Sequence, residues 1–152
     1  MALKYSTDLK NYIINQGVVK QLAGTMGTGG TASFKIYTGS QPVDADTAPS
    51  GTLLCTISDI GWGTTGDDGT IGATSGTVGL ANADGYSGTG ATDGTAGWGR
   101  FETIGTGFTG SAATHRIDGD VGTAGTCVFV INSAVIAAGG NVSLLTAPVS
   151  MA

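Results

Sequence analysis

The spacing of apolar positions changes along this chain. Over the first two dozen residues Tyr5, Leu9, Tyr12 and Ile13 recur at helical spacing and make one narrow stripe. Ser6 or Thr7 stands where an N-cap is needed, and Gly17 stands where a helix can stop. This predicts a helix over residues 7–16, with a second short turn through 18–22 ended by Gly24. Further on the period becomes two: Phe34, Ile36 and Thr38 alternate with Ser33, Lys35 and Tyr37, as in a strand with one buried face. A strand over 52–58 should follow, with Leu53, Cys55 and Ile57 on one side. Two weak strands are expected near 76–80 and 91–95. Over 98–103 Gly99 and Phe101 alternate with Trp98, Arg100 and Glu102. A short strand at 115–118 and stronger ones at 127–131 and 141–145 complete the series.

Short β segments punctuated by Gly predict a mainly β fold, a single β-sandwich or jelly-roll-like domain. The expected division is an N-terminal helical segment, 1–23, and a β-sandwich domain, 24–152, containing a Gly- and Thr-rich loop region, 61–97. A chain of 152 residues suits one domain, and folding at this size buries roughly 68–70% of the unfolded surface. The 28 Gly residues imply turns at positive φ or backbones that approach their neighbours closely.

Composition then narrows the function. The chain has six Lys or Arg, eleven Asp or Glu and one His, a net charge of −5. Acid–base and nucleophilic catalysis need titratable groups held together, and here they are few and scattered, so no enzyme is expected. The basic residues Lys4, Lys10, Lys20, Lys35, Arg100 and Arg116 form no run, which disfavours a nucleic-acid partner. No segment has the roughly 18 consecutive apolar residues of a membrane span. The opening residues lack the apolar core of a signal peptide, so synthesis in the cytoplasm is the expectation. Cys55 and Cys127 lack metal-motif spacing and read as two buried thiols in strands; a disulfide is the alternative.

Several motifs reduce to local structure. Residues 61–66 and 105–110 both match G-x-G-x-x-G. At this glycine frequency about one such match arises by chance, and neither opens a convincing helix. No nucleotide or other cofactor is expected. Asp67-Asp68-Gly69 and Asp118-Gly119-Asp120 could offer carboxylates to calcium, but they lack EF-hand spacing and read as solvated turns. His115 is the lone imidazole, and no Ser sits in G-x-S-x-G. A small hydrolase built on His115 is therefore the weakest function class.

The candidate residues belong instead to protein contacts. Trp62 and Trp98 each lie between two glycines, as core or turn fillers or as interface anchors. Arg100, on the same strand face as Trp98, can pair with an acid or stack on an aromatic ring. The stripe of Tyr5, Leu9, Tyr12 and Ile13 must cover either its own domain or a partner.

A set of segments in order along the chain resembles a family of small bacteriophage virion proteins. They are KYSTDLKNY at 4–12, KIYTGSQP at 35–42, ADTA at 45–48 followed by GTLL at 51–54, GTAGW at 94–98 with Arg100 and Phe101, GDVGTAG at 119–125, and IAAGGNV at 136–142. Residues 61–73 depart from the pattern as a local elaboration. The resemblance implies a non-enzymatic β-sandwich protein of the phage particle, a capsid decoration or cement protein on the head surface. Its expected partners are the major capsid protein and neighbouring copies of itself. A tail-associated module that binds a host receptor or carbohydrate is the alternative.

Overall fold

The computed structural model describes Ser6, Leu9, Ile13 and residues 32–61, 77–80, 85–104 and 114–150. These residues form strands β1 (Ala32–Tyr37), β2 (Leu53–Ile60), β3 (Thr77–Val78), β4 (Tyr86–Thr89), β5 (Gly94–Thr95), β6 (Trp98–Ile104), β7 (Thr114–Gly122), β8 (Phe129–Ile131), β9 (Val135–Ile136), β10 (Asn141–Thr146) and β11 (Val149–Ser150). The protein is mainly β, and no helix is delimited among the described residues. Leu9 and Ile13 do have helical backbone. The Leu9 N–H donates to Ser6 Oγ at 3.2 Å, the local bond of an N-cap. The rest of the helix expected at 7–16 lies outside the described residues.

One sheet of seven strands runs β2-β1-β6-β7-β8-β10-β4. Its neighbours pair antiparallel except β7 and β8, which pair parallel through Val121 and Phe129. The two ends of this order meet. Cys55 of β2 bridges Gly90 just past β4, and the Ala91 N–H donates to the Leu54 carbonyl at 2.7 Å. The sheet is thus nearly closed and barrel-like, which leaves little free strand edge. Two ribbons, β11–β3 and β5–β9, are separate from it.

The inward positions of opposite walls supply the core. Phe34, Phe101 and Phe129 pack with ring centroids 4.6, 5.1 and 5.2 Å apart, two of the three contacts edge-on, a geometry that aromatic quadrupoles favour. Glycine makes room for them. A Cβ on Gly119 would sit 2.7 Å from the Phe129 ring, and one on Gly99 would overlap Phe34. Around this cluster lie Ile36, Leu54, Cys55, Ile57, Ile60, Val121, Ile131, Val142 and Leu144.

Several elements differ from the sequence expectation. Strand β2 does not alternate simply: Leu54 is buried beside Cys55, and Leu53 is exposed. A register shift explains this, because Ile36 faces Cys55 but Tyr37 faces Leu53, so the intervening residue bulges inward. A second shift carries Asp59 at a φ of 58°. Tyr86–Thr89 is a strand that the Gly-rich reading of 61–97 missed, and β5 is shorter than expected. Asp118-Gly119-Asp120 is no turn; it lies within β7 and pairs residue by residue with β6. Cys55 and Cys127 are free thiols, the first buried in β2 and the second half-buried ahead of β8. Among the described residues no helix is long and apolar enough to cross a membrane.

Candidate functional site

Alternation on β6 sends Gly99 and Phe101 inward and leaves Trp98, Arg100 and Glu102 on the outer face. The register sets Tyr37, Lys35 and Ser33 of β1 opposite them on one side, and Asp120, Asp118 and Arg116 of β7 on the other. An outer face of this kind would ordinarily be solvated. Here the connection between β1 and β2, residues 38–52, folds across it.

The covering is built from side chains that reach up to main-chain carbonyls. Arg100 is central. Its Nε and Nη2 donate to the two carboxylate oxygens of Asp118, each at 2.7 Å, and Nη2 also donates to the Thr47 carbonyl at 3.0 Å. Only 1% of the Arg100 side chain and 2% of the Asp118 side chain is exposed. The guanidinium carbon lies 5.4 Å from the centre of the Trp98 ring, close enough for a cation–π contact. Trp98 stacks on Tyr37 with centroids 4.7 Å apart, and its indole N–H donates to the Ser50 carbonyl at 3.3 Å. Arg116 Nη1 donates to the Ala45 carbonyl at 3.3 Å, while its buried Nε has no hydrogen-bond partner. Lys35 pairs with Glu102.

The loop is also tied to itself. Thr38 and Thr52 exchange bonds of 2.9 and 3.0 Å at its base, and the Ser50 hydroxyl donates to the Ser40 carbonyl at 2.8 Å. The Thr47 N–H and hydroxyl both donate to Asp44 Oδ1, at 2.7 and 2.8 Å. Gly51 is held at a φ of 83° against the Thr38 backbone, a conformation that suits glycine. Pro42 and Pro49 restrict the chain further.

The electrostatics follow from these contacts. The hydrogen bonds that Arg100 donates to Asp118 raise the pKa of Arg100 against the opposing effect of burial, so the guanidinium stays charged. Burial raises the Tyr37 phenol. The Thr47 hydroxyl and N–H hold the exposed Asp44 carboxyl below its usual range. These groups bind, shield and position one another. No set of three or more His, Cys, Asp or Glu among the described residues is grouped for a metal ion.

The sequence candidates fall on different sides of this surface. Trp98 and Arg100 come together as expected, and Arg100 makes both contacts weighed for it, with an acid and with an aromatic ring. Both residues are buried beneath the loop. Leu9 is 44% exposed and Ile13 half-buried. Tyr5, Tyr12 and Trp62 lie outside the described residues, as do Asp67, Asp68 and the motif at 105–110. His115 lies in β7 opposite Thr103, and its side chain is outside the described residues. Sequence reasoning missed Tyr37, the pairing of Asp118 with Arg100, and the placement of residues 38–52 across this face. The available signal was bulk: Tyr37, Trp98 and Arg100 are all large residues at outward positions, where a solvated face would carry smaller polar ones.

Comparison with known proteins gives no match: no family model, no curated protein and no solved structure matches this chain.

Proposed function

We propose that this chain is a non-enzymatic structural protein of a bacteriophage particle, a decoration or cement protein that binds the major capsid protein lattice and stabilises the head. The observation that carries the reading is the ordered run of virion-protein-like segments from residue 4 to residue 142. The way the chain uses its charge supports it. Lys35 pairs with Glu102, and Arg100 pairs with Asp118 beneath the loop, so these four charges hold the structure together. Attachment then depends on apolar burial, hydrogen bonding and shape, and repeated copies on a symmetric lattice gain avidity where they also touch each other. The finer architecture belongs to the same proposal: a flattened barrel whose β1, β2, β6 and β7 wall faces its β8, β10 and β4 wall as the sheets of a sandwich do. The protein is made in the host cytoplasm and resides on the capsid surface.

Quantitative mass spectrometry of gradient-purified particles tests this reading. The expected result is a fixed ratio of this polypeptide to the major capsid protein through repeated purification. Its absence from mature particles contradicts the reading, and recovery only with separated tails favours the tail-associated alternative.

A further inference from the structure

The loop over the outer face exposes one apolar side chain almost completely. Val43 is 97% exposed and follows Pro42 near the start of the span that Arg100, Arg116 and Trp98 hold by its carbonyls. Exposure alone means little for a valine, but the setting is unusual. Long connections are normally mobile, whereas this one is anchored at Ala45, Thr47 and Ser50 by side chains from β6 and β7. The anchor includes a buried ion pair, and apolar residues of similar volume would often stabilise a fold as well. What the ion pair adds is a fixed position for Thr47 and its neighbours.

We infer that residues 42–46 form a preorganised docking knob, which inserts Val43 into an apolar recess rimmed by Lys or Arg side chains on the coat subunit. The inference rests on the proposed virion role and names the contact through which that role is exercised. Charge selects the occupant. Asp44 and Asp46 follow Val43 on the same loop and are exposed, so the recess must carry positive charge at its rim. A second copy of this chain is the poorer fit: its net charge is −5, and among the described residues Lys35 is paired with Glu102, Arg100 with Asp118, and Arg116 with the Ala45 carbonyl. Fixing the loop before contact removes an ordering cost that association would otherwise bear.

The test measures binding of the full chain to heads assembled without it. Val43→Asp should weaken binding about tenfold to a hundredfold, the effect of losing a buried valine, with the unfolding midpoint unchanged because the side chain packs against nothing. The double variant Asp44→Asn, Asp46→Asn keeps the side-chain acceptor for Thr47 and removes the charge. It should bind more weakly at low salt and lose most of the salt dependence of the natural chain. Val135→Asp, at an exposed valine on β9, should bind as the natural chain does. If the natural chain binds heads and the loop variants bind equally well, the knob is refuted and the virion role stands. If the natural chain binds no heads, the virion role fails and takes the knob's occupant with it. If it self-associates and Val43→Asp dissolves that association, the occupant is a second copy, and the coat recess is refuted.

Discussion

Arg100 and Asp118 form a pair whose value depends on both members being present. With Asp118→Ala the guanidinium stays buried beneath residues 44–50 and loses its counterion, so about 3–5 kcal/mol of stability should disappear in denaturant unfolding. The double variant Arg100→Met, Asp118→Leu should recover most of that loss, yet leave the Thr47 carbonyl without its donor. Faster amide exchange over residues 44–50 in the double variant, at near-natural stability, would separate positioning from stabilisation. Asp44 offers a second check. Its folded pKa is lowered by Thr47, so its contribution is complete above the ordinary carboxylate value of about 4 and is lost as the pH falls through the lowered folded value. The protection of the Thr47 amide, measured against its intrinsic exchange rate, should therefore fall in acid, and Asp44→Asn should remove that acid-dependent step. Cys55 is buried and its thiol pKa is raised by burial. A thiol reagent should modify Cys127 in the folded protein and Cys55 only on unfolding; rapid double labelling would contradict the packing of β2. At this scale the sequence was partly legible. The shared face of Trp98 and Arg100 follows from period-two alternation, but Asp118 as partner depends on which strand lies alongside, and spacing does not contain that.

Elements were more legible where one face is apolar than where glycine replaces side chains. Strand β1 and the alternation of β6 follow directly from Phe34, Ile36 and Phe101. Strand β7 was misread at 118–120 because Asp-Gly is a local turn signal. Pairing with β6 overrides it, and Gly119 serves to admit the Phe129 ring rather than to turn the chain. Strand β4 was missed for a related reason: Gly88 lies within it, and a Cβ there would sit 2.7 Å from the Thr56 carbonyl of β2. Glycine at these places reports close approach of a ring or carbonyl from a neighbouring strand, and sequence spacing alone does not tell that from a loop. Gly119→Val should then force the Phe129 ring to move and cost about 1–3 kcal/mol, read as a lowered unfolding midpoint. A neutral result would mean that the aromatic cluster is looser than its edge-on contacts indicate.

For the whole molecule, the core of the barrel comes from β strands on opposite walls, and its described members all lie between residues 32 and 147. Removing residues 1–23 should leave the β circular dichroism and cooperative unfolding in place. If the stripe of Tyr5, Leu9, Tyr12 and Ile13 is a second docking element, the same deletion should lower occupancy on particles; undiminished occupancy would remove it from the attachment surface. The mainly β class was readable from short alternating segments. The near closure of the sheet was not, because it depends on Cys55 bridging Gly90 and Ala91 donating to Leu54, contacts between residues far apart in the chain. The covered outer face was hidden for the same reason: Ala45, Thr47 and Ser50 meet β6 and β7 only after the chain has folded. The most direct measurement of the attachment claim is cryo-electron microscopy of intact particles at a resolution that traces strands. The barrel should appear at repeated, symmetry-related positions on the head, with residues 42–46 against the coat subunit. A head surface without the barrel, in particles whose purified protein is otherwise folded, would contradict that claim.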